Sequence, residues 1–348
     1  MLRVRVVETQ TGRVLSPPLE PASVSYNRLL AGMGDGEIVF TASTLAAHDI
    51  QPWLQAQAVT YVVEDEEHAL FAGYLEDFLW NQETLTVRVS EVGRMLALRP
   101  LNGAGADKLA TRVYKGGSLR DVVIMMLRQA LDHGSERSWQ MPIRWPAAKS
   151  GTRVVRSFEW YRFQTGQDVF DELMAEDGAP VVDFRPEWVD GRFSWEAVVG
   201  VLNHKLVQLM VGSSEHPVQG VTRVEFGRDF RARRTEMFVT GNGQEEKIVW
   251  SWADRDDVKD RFGGPRLVGI SAWGTVEDPR RARQIAKGLL RSRSDSAEQW
   301  QIGINFGDLV EGWQVRPGDR LEIAYPGDAV IPRGTYERVV MGLSLIHI

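Results

Sequence analysis

Short segments in which apolar and polar residues alternate recur through the first hundred residues, and they constrain the fold more than any other feature. Residues 2–6 alternate leucine or valine with arginine, and residues 84–90 alternate apolar and polar side chains along their whole length. Residues 58–78 supply two further strand-like segments around an acidic turn. A period of two residues is typical of a strand with one buried face. The sequence therefore predicts a small β-barrel or sandwich over residues 1–98.

A helical spacing of apolar residues replaces this alternation in the next hundred residues. Residues 118–131 begin with a capping-box-like pair of polar residues and carry an apolar stripe at helical spacing. A second helix is predicted over residues 165–178, where a glycine ends it. A β-hairpin that turns at Asp190 and Gly191 follows. Residues 99–200 are therefore predicted to form an α+β domain.

Strand-like segments return after this domain, and a third helix interrupts them. Asp278 is a favourable N-cap residue and Pro279 occupies the first helical position, ahead of an apolar stripe. Alternating strands resume beyond the helix. We therefore expect a second β domain over residues 201–342, with a helical segment inserted at about residues 241–297. The chain as a whole is predicted to be α+β and mainly β.

The composition excludes several kinds of function. The 348 residues contain no cysteine, which excludes disulfide and thiolate chemistry. The six histidines are scattered and do not have the spacing of metal ligands. We therefore expect no metal and no cofactor. No apolar run is long enough to span a membrane. The net charge of -6 argues against a surface built to hold nucleic acid.

The sequence contains none of the common catalytic motifs, so we expect the chain not to be an enzyme. The Gly-rich segments 32–36 and 103–108 are predicted to be plain turns. The carboxylates within residues 171–177 are predicted to lie on the solvated side of an amphipathic helix. The basic runs 228–234 and 280–293 are predicted to be a charged strand edge and a soluble helix face, with a charged partner surface as the alternative.

Tryptophan is unusually frequent, with twelve residues in the chain. Trp188 and Trp195 flank the predicted hairpin, while Trp250 and Trp252 are two residues apart and share one predicted strand face. Burial in sheet cores is one explanation for these side chains. Tryptophan is also enriched among the residues that dominate the energy of protein–protein contacts. These four residues are therefore our candidates for contacts with other proteins.

Three stretches, taken together, resemble one family of phage proteins. They are residues 68–100, which end in Leu-Arg-Pro, residues 117–131 followed by 166–200, and residues 286–304 leading to 315–344. In this order they resemble minor tail proteins of siphophages of actinobacteria. Those proteins belong with the tail hub, or tail-associated, proteins and with the baseplate hub of contractile phages. The resemblance extends over residues 1–342.

The resemblance implies an architecture. Hub proteins of this kind carry two tube-type β-barrels per chain with α+β domains attached, which would place barrels at residues 1–98 and 201–342. In the second barrel, Gly318 and Asp319 would form a turn, and residues 338–340 would lie in a late strand. Three chains would form a ring whose barrels match the hexameric tail tube.

The resemblance also implies a role. The hub joins the tail tube and the distal tail protein to the receptor-binding or cell-puncturing tip, and the tape-measure protein is a further neighbour. DNA contacts it only in transit through the lumen. The chain would therefore be a homotrimeric structural protein of the virion tail tip, assembled in the bacterial host cytoplasm.

Two other functions stay open at this point. One is a tail-tip cell-wall hydrolase whose catalytic domain is missing from this fragment. The other is a hub or spike component of a contractile injection system, or a carbohydrate-binding part on the same barrel scaffold. Contractile machines use related hubs, so the sequence hardly separates them from a siphophage tail.

The last six residues, Leu343 to Ile348, follow a predicted strand without a turn, a charge or a cap. Their sequence also matches the translation of a transposon-end adapter that is common in sequencing libraries. We therefore expect residues 343–348 to be an adapter artefact in a truncated open reading frame, so that the true protein diverges after Gly342. An apolar terminal strand that ends the fold is the alternative.

Overall fold

The computed structural model of the chain describes residues 2–66, 68–101, 111–132, 140–200, 206–211, 221–229, 231–255, 266–293, 297–304 and 315–347. Some predictions fall outside the described residues. They concern the Gly-rich segment 103–108, the histidines at 133, 204 and 216, the last part of the predicted insertion at 294–296, and Ile348.

The described residues are mainly in β-strands, as the sequence predicts. The strands are β1 (Arg3–Glu8), β2 (Ser23–Leu29), β3 (Asp35–Thr41), β4 (Val59–Glu64), β5 (Ala69–Trp80), β6 (Thr84–Ser90), β7 (Arg112–Gly116), β8 (Ile143–Arg144), β9 (Val154–Phe158), β10 (Val181–Val189), β11 (Arg192–Gly200), β12 (Leu206–Met210), β13 (Val221–Asp229), β14 (Glu236–Thr240), β15 (Trp250–Asp254), β16 (Val268–Ala272), β17 (Ala297–Ile304), β18 (Arg320–Tyr325), β19 (Gly334–Val339) and β20 (Gly342–His347). The α-helices are α1 (Ala42–Leu45), α2 (Leu119–Leu131), α3 (Gly166–Met174) and α4 (Pro279–Arg293). Short 3-10 helices lie at Leu30–Gly32, Gln51–Leu54, Val92–Leu98, Trp160–Arg162 and Glu245–Lys247.

The alternating segments of the first hundred residues form one antiparallel sheet. Its strands lie in the order β1, β4, β5, β6, β3, β2 and β20. Among the described residues no strand pairing closes this sheet into a barrel, and the barrel stays a prediction. The final strand β20 lies antiparallel to β2, with Leu29 opposite Gly342. The adapter origin of the last six residues also stays a prediction.

Both faces of the first sheet are covered around β4, which explains why alternation fails in that strand. One face, including Tyr61 and Val63, packs into a core made by the sheet itself. The opposite face, including Val62 and Tyr74, packs into a second core together with the α+β unit. All six residues of β4 are consequently buried, although a strand with one solvated face would bury only alternate residues.

The α+β unit contains α2, α3 and strands β7 to β11, and its helices begin where the sequence predicts. The hydroxyl of Ser118 accepts a hydrogen bond from the Asp121 backbone N–H at the start of α2. Thr165 and Asp168 form a reciprocal capping box at the start of α3. The β10–β11 hairpin turns through Asp190 and Gly191 with positive φ angles of 49° and 75°, which a two-residue turn of this kind requires.

The second β unit contains two small sheets that share one core. Strands β12, β18 and β19 form one sheet, and β13 and β17 form the other. Leu209, Leu321 and Ile323 are buried in the common core, and Trp300 packs against them. The turn predicted at Gly318 and Asp319 is present, since the Asp319 side chain accepts the backbone N–H of Arg316 at 2.8 Å.

A further unit is inserted into the second β unit between the paired strands β13 and β17. It is a three-stranded sheet in the order β15, β14, β16, with α4 packed on one face. Helix α4 buries its apolar stripe, including Ile285 and Leu290, against Met237 and Val239 of β14. Helix α4 begins at Pro279, directly after Asp278, so the third predicted helix is confirmed.

A cluster of buried charges joins the first sheet to the α+β unit. The Arg28 guanidinium lies 3.5 Å from the carboxylate of Glu91 and 3.3 Å from that of Asp183. Arg185 lies 3.1 Å from the other Asp183 oxygen, and the Gly34 backbone N–H donates to Glu91 at 2.9 Å. Burial raises the pKa of Glu91 to about 7, and the nearby Arg28 opposes this rise only in part.

Candidate protein interface

The structure separates the four candidate tryptophans into two pairs, and the first pair is largely interior. Trp195 is 1% exposed, and its ring meets Phe193 edge-to-face at 4.6 Å between centroids. Trp188 is half-buried on the neighbouring strand, packs on Phe193 at 5.8 Å, and has the Arg5 guanidinium 5.2 Å from its ring centre. Trp188 also lines a shallow cavity of about 220 Å³. These contacts favour a packing role for both residues.

The second pair lies on the surface of the inserted unit. Trp250 is 53% exposed and Trp252 is 44% exposed, and both indoles stack on Phe238 of the neighbouring strand at 6.4 Å. On the other side of β14, Val268 and Ile270 are also exposed, Ile270 to 75%. We call Phe238, Trp250, Trp252, Val268 and Ile270 the aromatic face.

Strand register explains why these five side chains share one surface. Residues directly opposite each other in neighbouring strands point to the same face of a sheet. Phe238 is opposite Trp252 on one side and opposite Ile270 on the other. The alternate residues Met237 and Val239 point the other way, into the core against α4. Helix α4 therefore covers one face of the sheet and leaves the aromatic face exposed.

A basic cleft borders the aromatic face. It is a cavity of about 610 Å³ in which Trp252 lies beside Arg283, Lys287 and Arg291 of α4. Arg291 pairs with Asp177 at 2.6 Å across the cleft. Arg283 and Lys287 are exposed, and neither forms an ion pair with another part of the chain that the structure describes. The sequence predicted a soluble helix face here, and the cavity between these cations and the exposed strand β15 now favours the alternative of a partner surface.

Two carboxylates within residues 171–177 are placed differently from the prediction, whereas Asp171 of α3 is exposed as predicted. Glu172 and Glu176 are buried rather than solvated. Arg281 of α4 pairs with Glu172 at 2.7 Å and with Glu176 at 3.0 Å, and Glu176 also accepts from Arg156 at 2.7 Å. Thr275 donates a further hydrogen bond to Glu172. The prediction was wrong because α3 faces the inserted unit, and this buried network attaches that unit to the α+β unit.

A second exposed apolar surface escaped the sequence analysis. Strand β5 extends beyond β4, and its last residues Phe78, Leu79 and Trp80 are 45%, 59% and 45% exposed. The acidic residues Glu76 and Glu83 lie exposed on the same hairpin. We call residues 76–83 the acidic hairpin tip. The sequence does contain a signal for this surface, since three consecutive apolar residues in a strand depart from the alternation of apolar and polar residues.

The described part of the chain shows no other site with obvious chemistry. It contains no cluster of three or more histidine, aspartate or glutamate side chains that could hold a metal ion. Among these residues no helix has both the length and the apolar character needed to cross a membrane. The aromatic face and the acidic hairpin tip are therefore the surfaces with the clearest potential for function.

Comparisons with known proteins show which solved structures share this fold. By sequence it matches no family model and no curated protein. Its structure is similar to the 43 kDa tail protein of prophage MuSo2 from Shewanella oneidensis, with a TM-score of 0.59 at 8% identity, covering 99% of this chain and 94% of that one. It is also similar to a tail protein from Neisseria meningitidis MC58, with a TM-score of 0.57 at 12% identity and coverages of 99% and 92%.

A secretion-system protein has a related fold. This E. coli component of the type VI secretion system is described as structurally similar to the T4 bacteriophage tail proteins gp27 and gp5. Its TM-score is 0.50 at 11% identity, with 99% of this chain and 72% of that chain covered. The chain thus has the fold of phage tail proteins and of this hub-like component over nearly its whole length.

Proposed function

We propose that the chain is a structural subunit of the tail hub, or baseplate hub, of a phage or prophage. The observation that carries this proposal is the similarity to prophage tail proteins over 99% of the chain, at a TM-score of 0.59. The order of units supports it as well. A β unit, an α+β unit and a second β unit with an insertion follow one another, as the resemblance to minor tail proteins implies.

In this proposal three copies form a ring at the virion tail tip. The two β units of each copy form tube-type barrels that surround a lumen, through which DNA passes during ejection. One side of the ring binds the tail tube, the distal tail protein and the tape-measure protein. The other side carries the receptor-binding or cell-puncturing tip. Assembly takes place in the bacterial host cytoplasm.

The chain acts in this proposal by binding and not by catalysis. A ring subunit needs extended contact surfaces and no reactive site. Zymography of the purified protein on bacterial cell wall tests this part directly. Clearing of the cell wall would contradict it and would favour the tail-tip hydrolase.

A contractile injection system is the second candidate, because the type VI secretion component shares the fold at a TM-score of 0.50. The genes beside the locus separate the two candidates. A tape-measure gene together with tube and distal-tail genes is expected for a phage tail. Sheath genes beside the locus would favour the contractile machine.

Labelling of virions with gold-conjugated antibody against the chain tests the hub location. We expect gold at one end of the tail, opposite the capsid, in electron micrographs. Purified protein is expected to appear in negative stain as rings with a central hole. Label distributed along the tail, or confined to the capsid, would overturn the proposal.

A further inference from the structure

Two exposed surfaces of this chain are complementary in character. The aromatic face is apolar at its centre, and the basic cleft with Arg283 and Lys287 borders it. The acidic hairpin tip is apolar at its centre, and the carboxylates of Glu76 and Glu83 border it. Stable protein interfaces commonly have an apolar, aromatic centre and a charged rim. Each surface therefore has the anatomy of one half of an interface.

Within a single chain, none of the residues that the structure describes covers either surface. Trp250 and Ile270 are 53% and 75% exposed on the aromatic face, and Phe78 and Trp80 are each 45% exposed on one face of the hairpin tip. Contiguous exposed apolar patches of this kind mark interaction sites in soluble proteins. Since both surfaces are exposed in the same molecule, they do not bind each other within it.

We infer that the acidic hairpin tip of one copy docks on the aromatic face and basic cleft of a second copy. Phe78 and Trp80 of the first copy would stack on Trp250 and Trp252 of the second, and the hairpin carboxylates would meet the cations of α4. Opposite charges on the two rims attract, whereas two identical surfaces would place like charges together. The charges therefore favour this pairing over a symmetric one.

A contact between two different surfaces has a geometric consequence. Every copy then offers one free hairpin and one free face, so copies can be added until a ring closes. The inference uses the proposed hub ring only for this closure. The docking itself follows from the apolar and charged side chains of the two surfaces.

Charge reversal on each surface tests the docking. We expect the double variant Arg283→Glu, Lys287→Glu and the double variant Glu76→Lys, Glu83→Lys each to weaken self-association at least about tenfold in 0.15 M salt. A chain that carries all four changes is expected to return to within about threefold of the original affinity, because the opposite charges face each other again. Sedimentation equilibrium measures these affinities. Lys247→Glu, at an exposed lysine of the same inserted unit outside the cleft, is the matched control and should change nothing.

A mixing experiment separates this contact from a symmetric one. The Trp250→Ser, Trp252→Ser variant lacks a working face, and the Phe78→Ser, Trp80→Ser variant lacks a working hairpin. We expect each to be monomeric alone. An equimolar mixture is expected to give dimers of one copy each, because one intact hairpin and one intact face remain. Circular dichroism should confirm that all variants are folded, and a variant that unfolds is replaced by the charge-reversal variant of the same surface.

The possible outcomes distinguish the docking from the hub function. Rings that form equally well with either surface changed would refute the docking and leave the hub proposal intact. A wild-type chain that is monomeric at tens of micromolar would also refute the docking, while gold labelling of virions would still test the tail location. Dimers that form from the face variant alone, or from the hairpin variant alone, would show a symmetric contact instead.

Discussion

At the scale of single residues, the tryptophans show how the same side chain serves two purposes. Trp195 and Trp252 both lie on strands with alternating residues, so their local sequences are alike. The unit that packs against each strand decides their burial. Trp195 faces the core that the first sheet shares with the α+β unit, whereas Trp252 faces away from α4. The sequence identified the candidate tryptophans but could not separate buried from exposed ones, because burial depends on segments that are distant in the chain.

Substitution by alanine should separate these two residues. Trp195→Ala removes a large, fully buried side chain and is expected to lower the free energy of unfolding by about 3–5 kcal/mol. Trp252→Ala removes a side chain that is 44% exposed and should cost less than about 1 kcal/mol. Chemical denaturation of the two variants measures the difference. Equal losses of stability would contradict this division between packing and surface.

Glu91 gives a prediction for the dependence of stability on pH. Its pKa rises from 4.5 to about 7 in the folded chain, mainly through burial. The folded state therefore holds this proton more tightly than the unfolded state. The resulting stabilisation is present below about pH 4.5 and is lost as pH rises through about 7. The full effect is on the order of 3 kcal/mol.

Glu91→Gln should remove this part of the pH dependence. The difference in unfolding midpoint between the wild type and the variant is expected to change between pH 5 and pH 7.5, with the wild type losing stability relative to the variant. The charged neighbours of Glu91 on other elements are Arg28 and Asp183, and they are retained in both proteins. Glu37→Gln, at an exposed ion pair with Arg88, is the control. A difference that is constant with pH would contradict the prediction.

At the scale of elements, local rules predicted where the helices begin and where the hairpin turns, although α3 ends at Met174 and not at the predicted Gly178. The caps at Ser118, Thr165 and Asp278 and the turn at Asp190 and Gly191 all depend on neighbouring residues, so the sequence contains the whole signal. The buried carboxylates of α3 depend on Arg281, more than a hundred residues away. A helical pattern alone could not reveal that partner. The solvated face was the expected outcome for charges at such positions, and it was wrong.

The contact between α3 and α4 depends on Arg281. Its side chain is 10% exposed, and its removal leaves the buried Glu172 without the guanidinium that pairs with it. Breaking a buried pair by removing one partner typically costs about 3–5 kcal/mol, because the remaining charge is uncompensated. We therefore expect Arg281→Leu to destabilise the docking of α4.

Hydrogen–deuterium exchange can measure this loss. Backbone amides of α4 are expected to exchange faster in the Arg281→Leu variant, while those of β4 keep their protection. Gln284→Leu, at an exposed residue of the same helix outside the basic cleft, is the control and should leave exchange unchanged. Adding Glu172→Gln should restore part of the protection, because the amide carries no charge. Unchanged exchange in Arg281→Leu would show that apolar packing alone holds α4.

At the scale of the whole molecule, the pairing between distant strands was not predictable. Alternation identified strands, but β1 pairs with β4 and β13 pairs with β17 across long insertions. Periodicity contains no information about such partners. The predicted insertion was placed at about residues 241–297, whereas its sheet includes β14, which begins at Glu236.

The pairing of β13 with β17 predicts that the inserted unit can be removed. Asp229 lies directly opposite Ala297 at the ends of these strands, so a short turn can connect them. We expect a chain in which Asn-Gly replaces residues 230–296 to fold with the remaining sheets intact, since this dipeptide favours a two-residue hairpin turn. Its thermal midpoint should fall, because Glu172 and Glu176 lose Arg281. Self-association should be lost with the aromatic face. A chain that fails to fold even with both glutamates changed to glutamine would contradict the prediction.

The first sheet, with a core on each face, also sets which substitutions the chain can accept. In β4 the residues on both faces of the strand are buried. A saturation mutagenesis scan should therefore show low tolerance to substitution at consecutive positions. In β19 half-buried and exposed positions alternate, so tolerance should rise and fall with each step. Drift among natural variants would follow the same rule, and β4 would diverge most slowly of the strands in its sheet.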